Sequence, residues 1–239
     1  MQMVRHLDAD ISKQLHDAAR QKPFTISPLQ GPFEVRGQRL YLRHNQEYWL
    51  RVTSLESTLS DLLLTFEEKP PRFLNLLEAT FSVERVTSNP RDHGWAFRST
   101  YDEVQAPLWK KESPAKINIM FASPTAFRSQ GQTVLLPLPR LVFSSLWERW
   151  QRYAPYQLDP WLLPQLIGEV DIARYKLRTQ MMDFRSYRQL GFVGECEFGV
   201  RKGLCEEALG ALQVLADFSV FAGVGYKTTM GLGQTRRLF

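Results

Sequence analysis

Cysteine is nearly missing from this chain: Cys196 and Cys205 are the two among 239 residues. Two thiols cannot build a disulfide framework, and they lack the C-x-x-C spacing of a zinc site. Histidine is sparse too. His6, His16, His44 and His93 are too scattered to show a metal-ligand spacing, and no H-E-x-x-H is present, so no metal or other cofactor is expected. No Gly-x-Ser-x-Gly elbow occurs. No apolar run approaches the ~20 residues that span a bilayer, and no secretory signal is visible, which points to a cytoplasmic protein without a membrane partner.

What the chain does have is ordinary globular material with a basic bias. Hydrophobic residues make up 44% and charged residues 23%, with a net charge of +5. The length suits one large domain or two of about 115 residues. A basic surface fits nucleic acid. Between positions 171 and 190 five cations (Arg174, Lys176, Arg178, Arg185, Arg188) face two acids, Asp171 and Asp183.

The C-terminus carries the strongest signal. Gly223, Gly225, Gly231 and Gly233 form two Gly-x-Gly pairs around Lys227, and Arg236 and Arg237 follow. Glycine reaches φ > 0 and allows close approach to a bulky anion. Successive exposed amides in such a loop can form an anion-binding concavity. A dinucleotide fingerprint would follow a strand and open a helix, whereas here Leu204, Ala208, Ala211, Leu212, Leu215, Ser219 and Ala222 place a helix before the glycines. A Walker A loop needs glycine directly before its lysine, and Tyr226 stands there instead. A helix C-cap followed by a tight turn is the simpler alternative, but four glycines and three cations exceed what a cap needs.

Periodicity predicts a helix ending near Arg20, extended chain over 24–29, a strand over 46–55, a helix over 57–68 stopped by Pro70-Pro71, and strands over 81–86 and 95–101. A polar, proline-bearing stretch over 105–114 marks a domain joint. A strand from 116, helices through Trp147 and Trp150 and around 161–167, strands over 172–182 and 191–200, and the helix from 204 follow. Cys196 shares strand parity with Phe192 and Phe198 and is expected in the core. The order strand, strand, helix, strand suggests an α+β sandwich, and tandem ferredoxin-like units fit the length. The expected division is 1–114 and 115–239.

His16 projects from its helix with Ser12 and Arg20, away from the stripe Leu7, Ile11 and Leu15. Lys22 comes six residues later. A histidine that exchanges protons near neutral pH, beside a lysine that steadies added negative charge, suits metal-free RNA cleavage by the ribose 2′-OH. A helical surface histidine is far more often inert, so spacing alone leaves the matter open.

Four blocks in order add to this reading. They are Leu15-His16 with Lys22-Pro23-Phe24-Thr25-Ile26-Ser27-Pro28-Leu29; Phe121-Ala122-Ser123-Pro124-Thr125-Ala126-Phe127-Arg128; Val142-Phe143-Ser144-Ser145-Leu146 with Arg149-Trp150; and the glycine segment. Together they resemble the CRISPR-associated repeat-processing endoribonucleases, the Cas6 family of the repeat-associated mysterious protein (RAMP) superfamily. The resemblance implies two ferredoxin-like (RRM-like) folds and metal-independent cleavage of precursor CRISPR RNA within repeats. It further implies 2′,3′-cyclic phosphate and 5′-hydroxyl ends. It places His16 and Lys22 in catalysis, and Gly223, Gly225, Lys227, Gly231, Gly233, Arg236, Arg237, Arg128, Lys176 and Arg178 in RNA binding. Only fifteen residues precede His16, fewer than in the family pattern, so the first sheet is expected to lack its initial strand. The alternative is a RAMP subunit that holds RNA in an effector complex without cutting it; subunits of such a complex, or a second copy, are the further partners implied. His16 and Lys22 favour the nuclease, and the short N-terminus favours the binder.

Overall fold

A computed structural model of the chain describes residues 22–36, 39–76, 79–109, 114–184 and 186–239. His16, His6 and the expected helix ending near Arg20 lie outside the described residues. The chain divides into two compact units, one of residues 1–23 and 54–98, the other of residues 24–53 and 99–239.

In the first unit, helix α1 (Ser57–Glu68) follows the sequence reading and buries Leu59 and Phe66. Pro70 and Pro71 lie just past its end, where the chain can no longer supply helical N–H donors. Glu67 on this helix accepts from both the main-chain N–H and the hydroxyl of Ser88, each at 2.8 Å. A small hairpin of two strands, Phe73–Leu76 and Ala79–Ser82, completes the described part. The strand expected over 81–86 is thus shorter and shifted toward the N-terminus. The strand expected over 95–101 does not form. Thr100 and Glu103, already in the second unit, instead make a reciprocal capping box that starts a short helix, Tyr101–Gln105, and this end signal outweighs the local alternation.

The second unit holds the main core. Its four-stranded antiparallel sheet has the order Val170–Asp183, Arg188–Val200, Lys116–Thr125, Thr235–Leu238. We call these strands, in chain order, β1 (116–125), β2 (170–183), β3 (188–200) and β4 (235–238). Helices α2 (Pro139–Tyr153) and α3 (Leu162–Glu169) connect β1 to β2, and helix α4 (Glu206–Ala222) connects β3 to β4. A βαββαβ order, with the first strand between the third and fourth, is the ferredoxin-like arrangement. Ile117, Ile119 and Phe121 of β1 and Phe192, Cys196 and Phe198 of β3 point to the helix side and are buried. They meet Phe143 and Trp150 of α2 and Leu212, Leu215 and Phe218 of α4, all buried as well. Edge-to-face ring pairs fix the layer, with Phe143–Phe198 and Trp150–Phe218 each at 5.2 Å.

Residues 24–53 belong to this unit. The strand expected over 46–55 is regular only at Val52–Ser54, which pairs with Phe24–Ile26, while Trp49 bridges Gln30. Between these pairs Arg51 N–H donates to the Ser27 hydroxyl at 2.7 Å, and Pro28 and Leu29 stand opposite Leu50 alone, so an extra residue interrupts the ladder.

The core position of Cys196 is as expected. Burial pushes its thiol up to about 12, whereas Cys205 is exposed. Iodoacetamide is therefore expected to label one thiol of the native protein, Cys205, and the second only after denaturation. Two labels on the native protein would contradict this packing. Among the described residues, no helix is long and apolar enough to cross a membrane.

Candidate nucleic-acid interface

The glycine segment is built on the end of helix α4. A helix C-terminus leaves carbonyls without intrahelical partners and carries partial negative charge. Here three successive carbonyls are taken up by side chains from elsewhere. Arg51 Nη1 donates to Val220 at 2.6 Å, Thr53 Oγ1 to Phe221 at 2.7 Å and Arg149 Nη1 to Ala222 at 2.5 Å. Burial pulls both guanidinium groups down to about 10, so each remains protonated at neutral pH. Arg149 also donates through Nη2 to Thr228 Oγ1 at 2.7 Å, which joins α2 to the far side of the glycine segment.

Beyond the cap the chain turns back along β1. Val224 N–H donates to the Gly233 carbonyl at 2.8 Å and closes the loop. Gly233 N–H donates to Pro124, and Tyr226 N–H to Ala126. Gln234 N–H donates to Ser123 Oγ at 2.9 Å and Gly225 N–H to Ser145 Oγ at 3.0 Å. These bonds explain the blocks singled out in the sequence: Ser123-Pro124-Thr125-Ala126 and Ser145 form the seat of the glycine loop. They also narrow the sequence reading of exposed amides. The amides of Gly223, Val224, Gly225, Tyr226, Gly233 and Gln234 are engaged inside the fold, so these six are not open to an anion. Gly223, Gly225, Gly231 and Gly233 all have positive φ, and a Cβ on Gly225 would stand 2.5 Å from the Ala126 carbonyl oxygen. Glycine is required here by close packing.

The cations divide into groups. Lys227 sits at the loop tip in the left-handed conformation, φ +60°. Its ammonium lies 4.0 Å from the Tyr187 ring centre, 5.4 Å from Tyr226 and 5.5 Å from Phe184. Arg128 lies 5.6 Å from the Tyr226 ring. Across the sheet, Arg236, Met120, Glu195 and Lys176 are aligned in register, on the face away from the helices. Arg178 shares the exposed edge strand β2 with Lys176. Arg237, one residue on, faces the other way. It pairs with Asp217 of α4 at 3.0 Å and bonds to Gln213, with its side chain only 10% exposed. The structure therefore brings Arg128, Lys227 and the four glycines together, sets Arg236, Lys176 and Arg178 on the sheet, and turns Arg237 into the core. Lys22 is half-buried, directly before Pro23 and the strand 24–26. Sequence reasoning did not assign Arg51, Thr53, Phe184, Tyr187 or Tyr226; of these, the Phe-x-x-Tyr pair in a basic run was the one visible signal. Among the described residues no group of three or more His, Cys, Asp or Glu is placed to hold a metal ion.

A family model described as "CRISPR-associated endoribonuclease Cas6" matches residues 119–235, and one described as "CRISPR Cas6 N-terminal domain" matches residues 1–106. The chain belongs to the Cas6 family. A curated Cas6 relative from Streptococcus thermophilus, named a CRISPR-associated endoribonuclease, is 30% identical over 125 residues, covering 52% of this chain and 51% of that protein. The chain thus spans about half the length of that curated relative in the match. A solved structure described as "Cas6 (TTHB231) product complex" superimposes with a TM-score of 0.81 and 26% identity, covering 99% of this chain and 89% of that one; Cas6 (TTHB231) is from Thermus thermophilus. A second, "Cas6 (TTHA0078) product complex", gives a TM-score of 0.79 and 25% identity over 97% and 88% of the two chains. The α+β fold with tandem ferredoxin-like domains expected for Cas6 proteins is the fold of this chain.

Proposed function

We propose that this chain is an endoribonuclease that cleaves precursor CRISPR RNA within its repeats. The observation that carries the reading is the glycine loop: a Cas6-family segment seated on Ser123–Ala126, holding Lys227 at its tip with no carboxylate in an ion pair with it among the described residues. Its likeness to Cas6 proteins whose structures are product complexes supports the same substrate class. In this reading the ribose 2′-oxygen attacks phosphorus, the 2′-O–P bond forms, and the P–O5′ bond breaks. His16 exchanges the proton with the 2′-oxygen or the leaving 5′-oxygen, and Lys22 stabilises the charge gathered on the phosphorane. The products carry a 2′,3′-cyclic phosphate and a 5′-hydroxyl, and no metal enters the step. Lys227, Arg128, Arg236, Lys176 and Arg178 hold the phosphate backbone, and the glycines shape the loop that carries Lys227. Arg237 contributes by anchoring β4 to α4. We place the division between the two ferredoxin-like domains at 114/115 and the protein in the cytoplasm. Effector-complex subunits and a second copy stand as further partners.

The test uses labelled repeat RNA from the host's own array in excess EDTA. A cut at one position, leaving a cyclic-phosphate end, is expected. Tight binding without any cut would replace this reading with that of a non-catalytic RNA-holding subunit.

A further inference from the structure

The environment of Lys227 has a feature that binding charge alone does not require. Most lysines near a fold's surface are either solvated or paired with a carboxylate. Lys227 is neither. Its ammonium rests 4.0 Å from the Tyr187 ring centre, and Tyr187 is stacked in turn on Phe184, with centroids 4.9 Å apart and planes 22° apart. Tyr226 closes a further side at 5.4 Å, and its own hydroxyl is buried with no hydrogen-bond partner among the described residues. Phe184 and Tyr187 belong to the turn between β2 and β3, so the cluster ties the tip of that hairpin to the glycine loop.

Ring faces and carboxylates hold a cation in different ways. A carboxylate fixes an ammonium and cancels its charge. A ring carries no net charge, so it restrains the side chain and leaves the full positive charge to act outward. A lysine side chain also gives up considerable rotamer entropy when it is immobilised on a ligand. If the protein has already restrained it, that cost does not fall on binding. Lys227 Nζ is 4.0 Å from the Tyr187 centre and 5.5 Å from that of Phe184, and the two centres are 4.9 Å apart, so the ammonium rests against both rings of the stacked pair.

We propose that Tyr187, backed by Phe184, is a positioning residue that preorganises Lys227 as a phosphate receiver. This rests on the reading of the glycine loop as an RNA-binding element. It assigns to the hairpin tip a role in the conformation of the loop cation.

Salt dependence separates a contact from a support. A lysine that neutralises one phosphate contributes about one unit to the slope of log affinity against log salt, so Lys227→Met should lower that slope by about one. Tyr187→Leu removes the ring and no charge. It should weaken binding of host repeat RNA by about two- to fivefold at fixed salt and leave the slope as in wild type. Tyr187→Phe keeps the ring and should bind as wild type. In a Lys227→Met background, Tyr187→Leu should have no further effect on affinity, because the group it positions is gone. Thermal melts of each variant separate the effect from unfolding. The proposal is overturned if Tyr187→Leu binds as well as or better than wild type, if it lowers the salt slope, or if its effect persists undiminished without Lys227. Failure of wild type to bind the RNA would instead remove the RNA reading itself.

Discussion

Replacing His16 with alanine is expected to slow repeat-RNA cleavage by about 10²–10⁴-fold and to leave RNA affinity nearly unchanged. The magnitude follows from the chemistry. Without a metal, the 2′-hydroxyl must lose a proton as it attacks, and the 5′-oxygen must gain one as it leaves. A correctly placed imidazole does one of these near neutral pH, and alanine does neither. In the proposed reading the RNA is held by cations on the glycine loop and the sheet, so binding should survive. Single-turnover cleavage and a binding titration on the same variant check both halves. An equal loss of rate and affinity would mean that His16 supports structure or RNA contact, and a pH–rate profile would then lose its case for an imidazole.

The second large effect is structural. Gly233→Ala should destabilise the protein by about 2–6 kcal/mol, because a left-handed backbone and overpacking each cost about 1–3 kcal/mol. Gly233 has φ +70°, and a Cβ there would collide with the Val224 carbonyl oxygen and lie 3.0 Å from Thr228 Cγ2. Both partners are buried in the closed loop and cannot give way cheaply. Gly168 supplies the contrast. It lies in helix α3 with nothing within 4 Å of a built Cβ, so Gly168→Ala should be neutral or stabilise by about 0.5–1 kcal/mol. Thermal melts of the pair read the difference directly. Equal melting temperatures would show that the loop relaxes around the new methyl group and that its shape is not fixed by glycine.

Much of this was legible in the sequence. The helix 57–68 needed only its apolar spacing and the two prolines beyond it. The βαββαβ order from residue 116 onward followed from alternating runs and the Ala/Leu-rich stretch after 204, and Cys196 fell on the core face because strand parity with Phe192 and Phe198 put it there. What failed were segments where a local signal competed with alternation. The strand over 95–101 lost to the Thr100–Glu103 capping box, and the strand over 46–55 was broken up by an extra residue in the neighbouring segment, beside the bond from Arg51 N–H to the Ser27 hydroxyl.

The interface was legible as composition and obscure as geometry. Glycines and cations are visible in one dimension, so the loop was found. Adjacent residues on a strand point opposite ways, however, and this separates Arg236 from Arg237 once the register with β1 is known. The seat of the loop was equally hidden. Ser123, Ser145 and Arg149 earned notice as a motif, but their bonds to residues 222–234 run across 73 to 111 positions, and no local pattern encodes such partners.

The closing turn of helix α4 has one more implication, for the order in which the molecule assembles. Its carbonyls are capped by Arg51 and Thr53 from 169 and 168 positions away, and by Arg149 from 73. Contacts of such separation form only after the intervening chain has closed its loops. The sheet can pair, and α2 and α4 can dock on it, before segment 24–53 arrives. The end of α4, and the glycine loop hung from it, cannot settle until then. A molecule caught at that stage would show the far-ultraviolet signature of the finished fold and still lack a formed glycine loop. Recovery of secondary structure and recovery of RNA binding after dilution from denaturant should accordingly run on separate clocks.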